Sequence, residues 1–134
     1  MTIAIGATVA LAVGLLGRLT GMDRDRAAYP IILMVIASYY VLFALMSESS
    51  EAAIAEAAVA TVFAAAAVLG FLFSLWIVAA ALAAHGIFDL VHPHLLAESG
   101  APAWWPGFCL GVDVVLAAIL AALIMTGRIN ARDT

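Results

Sequence analysis

Lysine is absent from this chain of 134 residues, and cysteine occurs once, at Cys109. A single cysteine excludes an intramolecular disulfide bond and a cysteine-rich zinc module. Five arginines supply all of the basic charge, and the net charge is −4 because the acidic residues outnumber them. No basic stripe is present, so nucleic acid is not an expected partner.

Familiar catalytic motifs are missing too, since the chain contains no GxGxxG, Walker or GxSxG element. No basic residue precedes Arg18, whereas a secretory signal peptide starts with a positively charged segment. The first apolar stretch is therefore predicted to be a retained helix and not a cleaved leader.

Apolar residues are what the chain has in excess. They make up 67% of the sequence, and charged residues only 10%. A soluble domain is about half apolar and about a quarter charged. Together with a mean hydropathy of +1.19, this composition predicts an all-α integral membrane protein, with a single transmembrane helical domain over residues 1–134.

Polar segments divide the apolar residues into a predicted bundle of five transmembrane helices. The spans are expected at about 3–19, 29–46, 51–69, 75–91 and 104–125. Pro93 is expected to stop the fourth helix. Gly6, Ala10 and Gly14 recur every four residues in the first span, a spacing that favours close helix packing. A re-entrant hairpin of the third and fourth spans is the alternative.

The arginines predict the orientation of the bundle. With five spans, all of them fall on one side of the membrane: Arg18, Arg24, Arg26, Arg128 and Arg132. The positive-inside rule assigns that side to the cytoplasm. The N-terminus is therefore predicted outside and the C-terminus in the cytoplasm.

All three histidines lie within residues 85–94. On a helix with about 100° per residue, His85, Asp89 and His92 fall within about 60° of one another and form a polar stripe. His94 follows Pro93, so the sequence leaves open whether His92 or His94 belongs to a site.

Several polar residues are predicted to lie at one depth in the outer half of the membrane, from the rise of about 1.5 Å per residue. They are Glu56, His85, Asp89 and Asp113. A carboxylate at such depth costs about 2.5–3.5 kcal/mol, and no arginine lies in that half to balance it. A divalent metal, a proton-sharing network and unconnected structural polar residues are the three interpretations.

The metal interpretation assigns His85, Asp89, His92 and Asp113 as ligands, and the nitrogen and oxygen donors suit zinc, iron or manganese. Cys109 lies one turn from Asp113 and is interpreted as an apolar packing residue, with a thiolate ligand or nucleophile as the alternative. In the second span, Tyr39 and Tyr40 with Ser38 are interpreted as aromatic packing and interhelical hydrogen bonding, with a role in a polar cavity as the alternative.

Four segments resemble a family of small bacterial multi-span proteins of unassigned function: DRDR…YP (23–30), IASYYVLFA (36–44), HGIFD (85–89) and WWPGFC…D (104–113). The likeness covers about residues 20–120, and its HGxFDxxH and WWPxFCxxxD patterns are specific. It implies a multi-pass location in the bacterial inner membrane and no particular activity. A weaker likeness, in style of site only, is to seven-span hydrolases that bury zinc among histidines.

The leading hypothesis is a membrane-embedded metalloenzyme, hydrolytic or oxidative, that acts on a lipid or another apolar substrate. Asp113 would be a metal ligand or general base, and Glu56 a proton shuttle. The alternatives are a small proton- or metal-ion transporter or channel component, and a non-catalytic accessory subunit of a larger membrane complex. A homodimer is also compatible with so small a bundle.

Overall fold

The computed structural model describes residues 1–96 and 99–132, and this part of the chain is all-helical. Its five α-helices are α1 (Thr2–Thr20), α2 (Ala28–Met46), α3 (Ser50–Leu72), α4 (Leu75–Leu95) and α5 (Trp105–Met125). Each is long and apolar enough to cross a membrane, since about 20 helical residues match a hydrocarbon core of about 30 Å. The predicted number of apolar helices is confirmed for the described residues.

Two predicted helix ends are wrong. α3 continues past residue 69 to Leu72, and α4 continues through Pro93 to Leu95. Pro93 has no N–H and cannot donate a helical hydrogen bond, but it lies in the final turn, where few bonds follow. The bond that closes this turn is kept, from the Leu96 N–H to the His92 carbonyl at 2.9 Å. His92 therefore keeps its helical position on the same face as His85.

Glycines let α1 lie directly against α5. A Cβ atom at Gly6 would be 2.0 Å from the carbonyl oxygen of Phe108, and one at Gly111 would be 2.2 Å from that of Ile3. Both positions therefore require glycine for backbone contact between the two helices. The close packing predicted from the small residues of the first span is confirmed.

The buried face of α4 changes character along its length. α4 packs on α3 and α5 and more lightly on α2. The residues of its buried face recur at alternating spacings of three and four: Leu75, Val78, Leu82, His85, Asp89 and His92. The first half of this face is apolar and the second half is polar, so the helix carries a polar cluster at one end of an apolar core.

Arginines gather at the other end of the bundle, where α1 and α5 both finish. Arg128 donates to the two carboxylate oxygens of Asp23 at 2.6 and 2.9 Å, and Arg18 lies 3.8 Å from the same carboxylate. Arg26 donates to the backbone carbonyls of Phe71 and Asn130. The Arg128 guanidinium holds the pKa of Asp23 below its usual range.

Candidate metal centre

Three buried side chains from α4 and α5 meet in the polar cluster. His85 Nδ1 lies 2.7 Å from Asp113 Oδ2 and 3.7 Å from Asp89 Oδ2. One donor atom from each residue lies within 4.8 Å of the other two. Gly86 permits this approach, because a Cβ atom there would already be 3.2 Å from the Asp113 Cβ.

Two carboxylate oxygens of this group have no hydrogen-bond donor among the described residues. They are Asp89 Oδ2 and Asp113 Oδ1, and both side chains are fully buried. An unsatisfied buried acceptor costs about 1–3 kcal/mol, and more when it is charged. Such atoms call for an ion, a water or a proton. The group can therefore hold a cation or share protons.

The spacing of the donors fits a metal ion after small movements. Two donors about 2.1 Å from a tetrahedral ion are about 3.4 Å apart. The separation of 3.7 Å between His85 Nδ1 and Asp89 Oδ2 is close to this value. The separation of 2.7 Å between His85 and Asp113 is that of a hydrogen bond. A bound ion would replace that hydrogen bond and could be coordinated by the carboxylate oxygens that lack a donor.

Tyr40 of α2 contacts the group of three, and the sequence did not predict this contact. Its hydroxyl donates to Asp89 Oδ1 at 2.8 Å, and its ring stacks on His92 with centroids 3.8 Å apart. The interpretation of Tyr40 as aromatic packing and interhelical hydrogen bonding is confirmed. The sequence did not identify Asp89 as its hydrogen-bond partner, because the two residues lie on different helices.

Glu56 and His92 form a second buried pair. His92 Nε2 lies 2.7 Å from Glu56 Oε1, and both side chains are almost fully buried. Neither residue belongs to the group of three that could hold a metal. His94 is exposed, so the interior histidine at this end of α4 is His92.

Aromatic rings and a thiol surround these polar groups. Phe63 of α3 packs edge-on against the His85 ring at 4.6 Å, and Phe88 packs against the His92 ring at 5.4 Å. Both phenylalanines are half-buried. Cys109 is buried and lies outside the group of three, in accord with a packing role.

No protein-family model, curated protein or solved structure matches the chain. The resemblance to small bacterial multi-span proteins stays a prediction. What is established for the described residues is a set of helices suited to a membrane and a buried group of one histidine and two aspartates.

Proposed function

We propose that the chain is a multi-pass membrane protein that binds one divalent metal ion through His85, Asp89 and Asp113 and acts as a metal-dependent enzyme. The observation that carries this proposal is the pair of buried carboxylate oxygens that lack donors among the described residues. Metal ligands must be deprotonated, so ligation by these residues would place two carboxylate charges beside a neutral imidazole in an apolar interior. One divalent ion balances both, and zinc, iron and manganese accept this donor set.

The number of ligands favours catalysis over a structural role. Three protein ligands leave one position of a four-coordinate ion open, as in catalytic zinc sites. A metal in this position would supply Lewis-acid activation of water or of a substrate carbonyl, or would support oxidative chemistry. Asp113 would be a ligand through one oxygen and a general base through the other.

The neighbouring residues orient the ligands and move protons. The Tyr40 hydroxyl fixes the rotation of the Asp89 carboxylate by binding its Oδ1 atom. Glu56 and His92 are 2.7 Å apart, so a proton can pass between them. In this role Glu56 is the shuttle and His92 its proton partner, and the stacking of the His92 ring on Tyr40 holds the pair beside Asp89.

The substrate class follows from the surroundings of the site. His85, Asp89 and Asp113 are buried among apolar side chains, and large apolar residues cover the outer faces of the helices. Phe63 and Phe88 each contact a histidine of the network and are each partly exposed. A lipid or another apolar molecule would enter between these two rings by moving them aside.

The proposed topology has the N-terminus outside and the C-terminus in the cytoplasm of a bacterial inner membrane. In support, Arg18, Arg26 and Arg128 lie at one end of the helices, which the positive-inside rule makes cytoplasmic. The candidate metal centre then lies in the outer half. Reporter fusions at each terminus, one active only in the cytoplasm and one only outside, test this arrangement.

Elemental analysis of purified protein tests metal binding. One equivalent of zinc, iron or manganese per chain is expected, and Asp113→Asn should lose it while keeping the shape of the side chain. His94→Ala is the matched control, because this exposed histidine is on the same helix. Folded native protein that takes up none of the three metals would overturn the proposal and leave proton sharing as the account of the cluster.

Comparison of membrane lipids by mass spectrometry tests the enzymatic part. Membranes that contain the native chain should show a lipid product that is missing with Asp113→Asn. Metal binding without any such product would support the metal site and contradict the proposed enzymatic activity.

The buried polar groups from Glu56 to Asp113 favour a second candidate, a proton-translocating component. Buried hydrogen bonds join α4 to α3, to α2 and to α5. Against it, the other half of the core is apolar, with Leu33, Leu82 and Leu120 fully buried. A pH gradient across proteoliposomes that decays faster with the native chain than with Asp89→Asn would favour transport.

A further inference from the structure

Three arginines surround a cavity at the end of the bundle opposite the candidate metal centre. The cavity has a volume of about 700 Å³ and is lined by Arg18, Arg24 and Arg128 together with Ile119, Ala122 and Leu123 of α5. Its volume lies within the range of about 300–1,000 Å³ typical of ligand sites. One part of its wall is therefore cationic and the other is apolar.

The arginines of the cationic wall differ in how far they are already paired. Arg128 is tied to Asp23 by two hydrogen bonds. Arg18 lies 3.8 Å from the same carboxylate, and its side chain is 56% exposed. Arg24 forms no ion pair within residues 1–96 and 99–132, and its side chain is exposed. Two guanidinium groups can therefore turn toward an anion.

The balance of charge around the cavity is positive. Asp23 offsets one arginine, and the C-termini of α1 and α5 add about half a negative charge each. About one positive charge remains. An anion bound among the three guanidinium groups would offset their mutual repulsion. Guanidinium binds phosphate oxygens in pairs of hydrogen bonds.

The apolar wall selects the kind of anion. Ile119, Ala122 and Leu123 lie on the last two turns of α5, directly before Arg128 in the chain. A ligand that fills the cavity must place an anionic group among the arginines and a hydrocarbon portion against α5. Basic pockets between membrane helices on the cytoplasmic side bind anionic lipid headgroups in this way.

We propose that this cavity, which we term the arginine cavity, binds the phosphate group of an anionic phospholipid. The site is separate from the candidate metal centre and does not depend on the proposed enzyme activity. Arg18 and Arg24 bind the phosphate, while Arg128 is held by Asp23 and completes the positive wall.

Lipid titration of the purified chain, followed by native mass spectrometry, tests the proposal. Phosphatidylglycerol is the anionic probe, and phosphatidylcholine carries the same phosphate without net charge. At about 1 kcal/mol for each arginine, Arg18→Gln and Arg24→Gln should each weaken phosphatidylglycerol binding about fivefold, and the double variant about 30-fold. Arg128 is left intact because its loss would unpair the buried Asp23.

Arg132→Gln is the control, since Arg132 is exposed and lies outside the cavity wall. It should change binding by less than about twofold if the site is local, because distant surface charges are screened. Equal losses in Arg132→Gln and Arg24→Gln, or equal binding of the two lipids, would overturn the proposal. Displacement of phosphatidylglycerol by millimolar inorganic phosphate would overturn it as well, by assigning the cavity to a soluble phosphate compound.

Discussion

The Tyr40 hydroxyl on α2 donates a 2.8 Å hydrogen bond to Oδ1 of Asp89 on α4. Both side chains are buried, and this contact connects α2 to the candidate metal centre. A donor that holds one oxygen of a carboxylate ligand determines which oxygen remains for a metal. Here the remaining oxygen is Oδ2, which has no donor among the described residues.

Removal of this hydroxyl in Tyr40→Phe should weaken metal binding about 10–100-fold. It should also lower the free energy of unfolding by about 1–3 kcal/mol, because a buried acceptor loses its donor. Chelator competition measures the first effect and denaturant unfolding the second. Tyr39→Phe is the matched control, because Tyr39 is exposed and its hydroxyl forms no hydrogen bond in the part of the chain that the structure describes. Equal metal affinities in the two variants would contradict the orienting role.

Loss of the imidazole in His92→Ala should destabilise the protein by about 3 kcal/mol, because Glu56 would stay buried without its partner. Metal content should remain at one equivalent, since His92 lies outside the group of three. The double variant Glu56→Leu, His92→Leu should recover most of the stability, because it removes both polar groups. His94→Ala should stay within about 0.5 kcal/mol of the native chain. Loss of metal in His92→Ala would restore His92 to the ligand set.

The contact between α1 and α5 should be sensitive to a single methyl group. Gly111→Ala would place a Cβ atom 2.2 Å from the carbonyl oxygen of Ile3, so the two backbones must separate. We expect a loss of about 1–3 kcal/mol. In Gly17→Ala the new atom would be 3.7 Å from Asp23, an ordinary contact, and helix propensity predicts a change between zero and a gain of about 1 kcal/mol. Denaturant unfolding of both variants measures these changes in the free energy of unfolding. Equal losses in the two variants would show that α1 does not pack on α5 as described.

The ion pair between Asp23 and Arg128 should make stability depend on pH in the acid range. Because the pKa of Asp23 is lower in the folded chain than its ordinary value of 3.8, the unfolded chain takes up the proton first as pH falls. The stabilisation is therefore complete well above pH 3.8 and is lost as pH falls through the lowered pKa of the folded state. Thermal unfolding between neutral and acid pH should show this loss in the native chain. The other carboxyl groups titrate in both the native chain and Asp23→Asn, so the difference in stability between the two isolates the contribution of Asp23. A difference in stability that does not vary with pH would contradict the prediction.

Much of the candidate site followed from spacing along single helices. His85 and Asp89 are one turn apart on α4, so any helix through them presents both on one face. Asp113 could be matched to them by depth. The sequence could not decide between His92 and His94, because Pro93 made the end of the helix uncertain. The sequence also could not predict that His92 pairs with Glu56, because Glu56 lies on another helix whose rotation depends on packing.

The sequence by itself determined that this chain forms long apolar helices with its arginines at one end, because hydropathy and charge are properties of each segment alone. It also predicted that Glu56, His85, Asp89 and Asp113 lie at one level, because a rise of about 1.5 Å per residue converts position into depth. Only the tertiary structure decided which of those residues touch. The bond from Tyr40 to Asp89, the Glu56–His92 pair and the arginine cavity depend on how helices far apart in sequence rotate and cross. Those rotations are set by close contacts such as Gly111 against Ile3, which no single segment encodes.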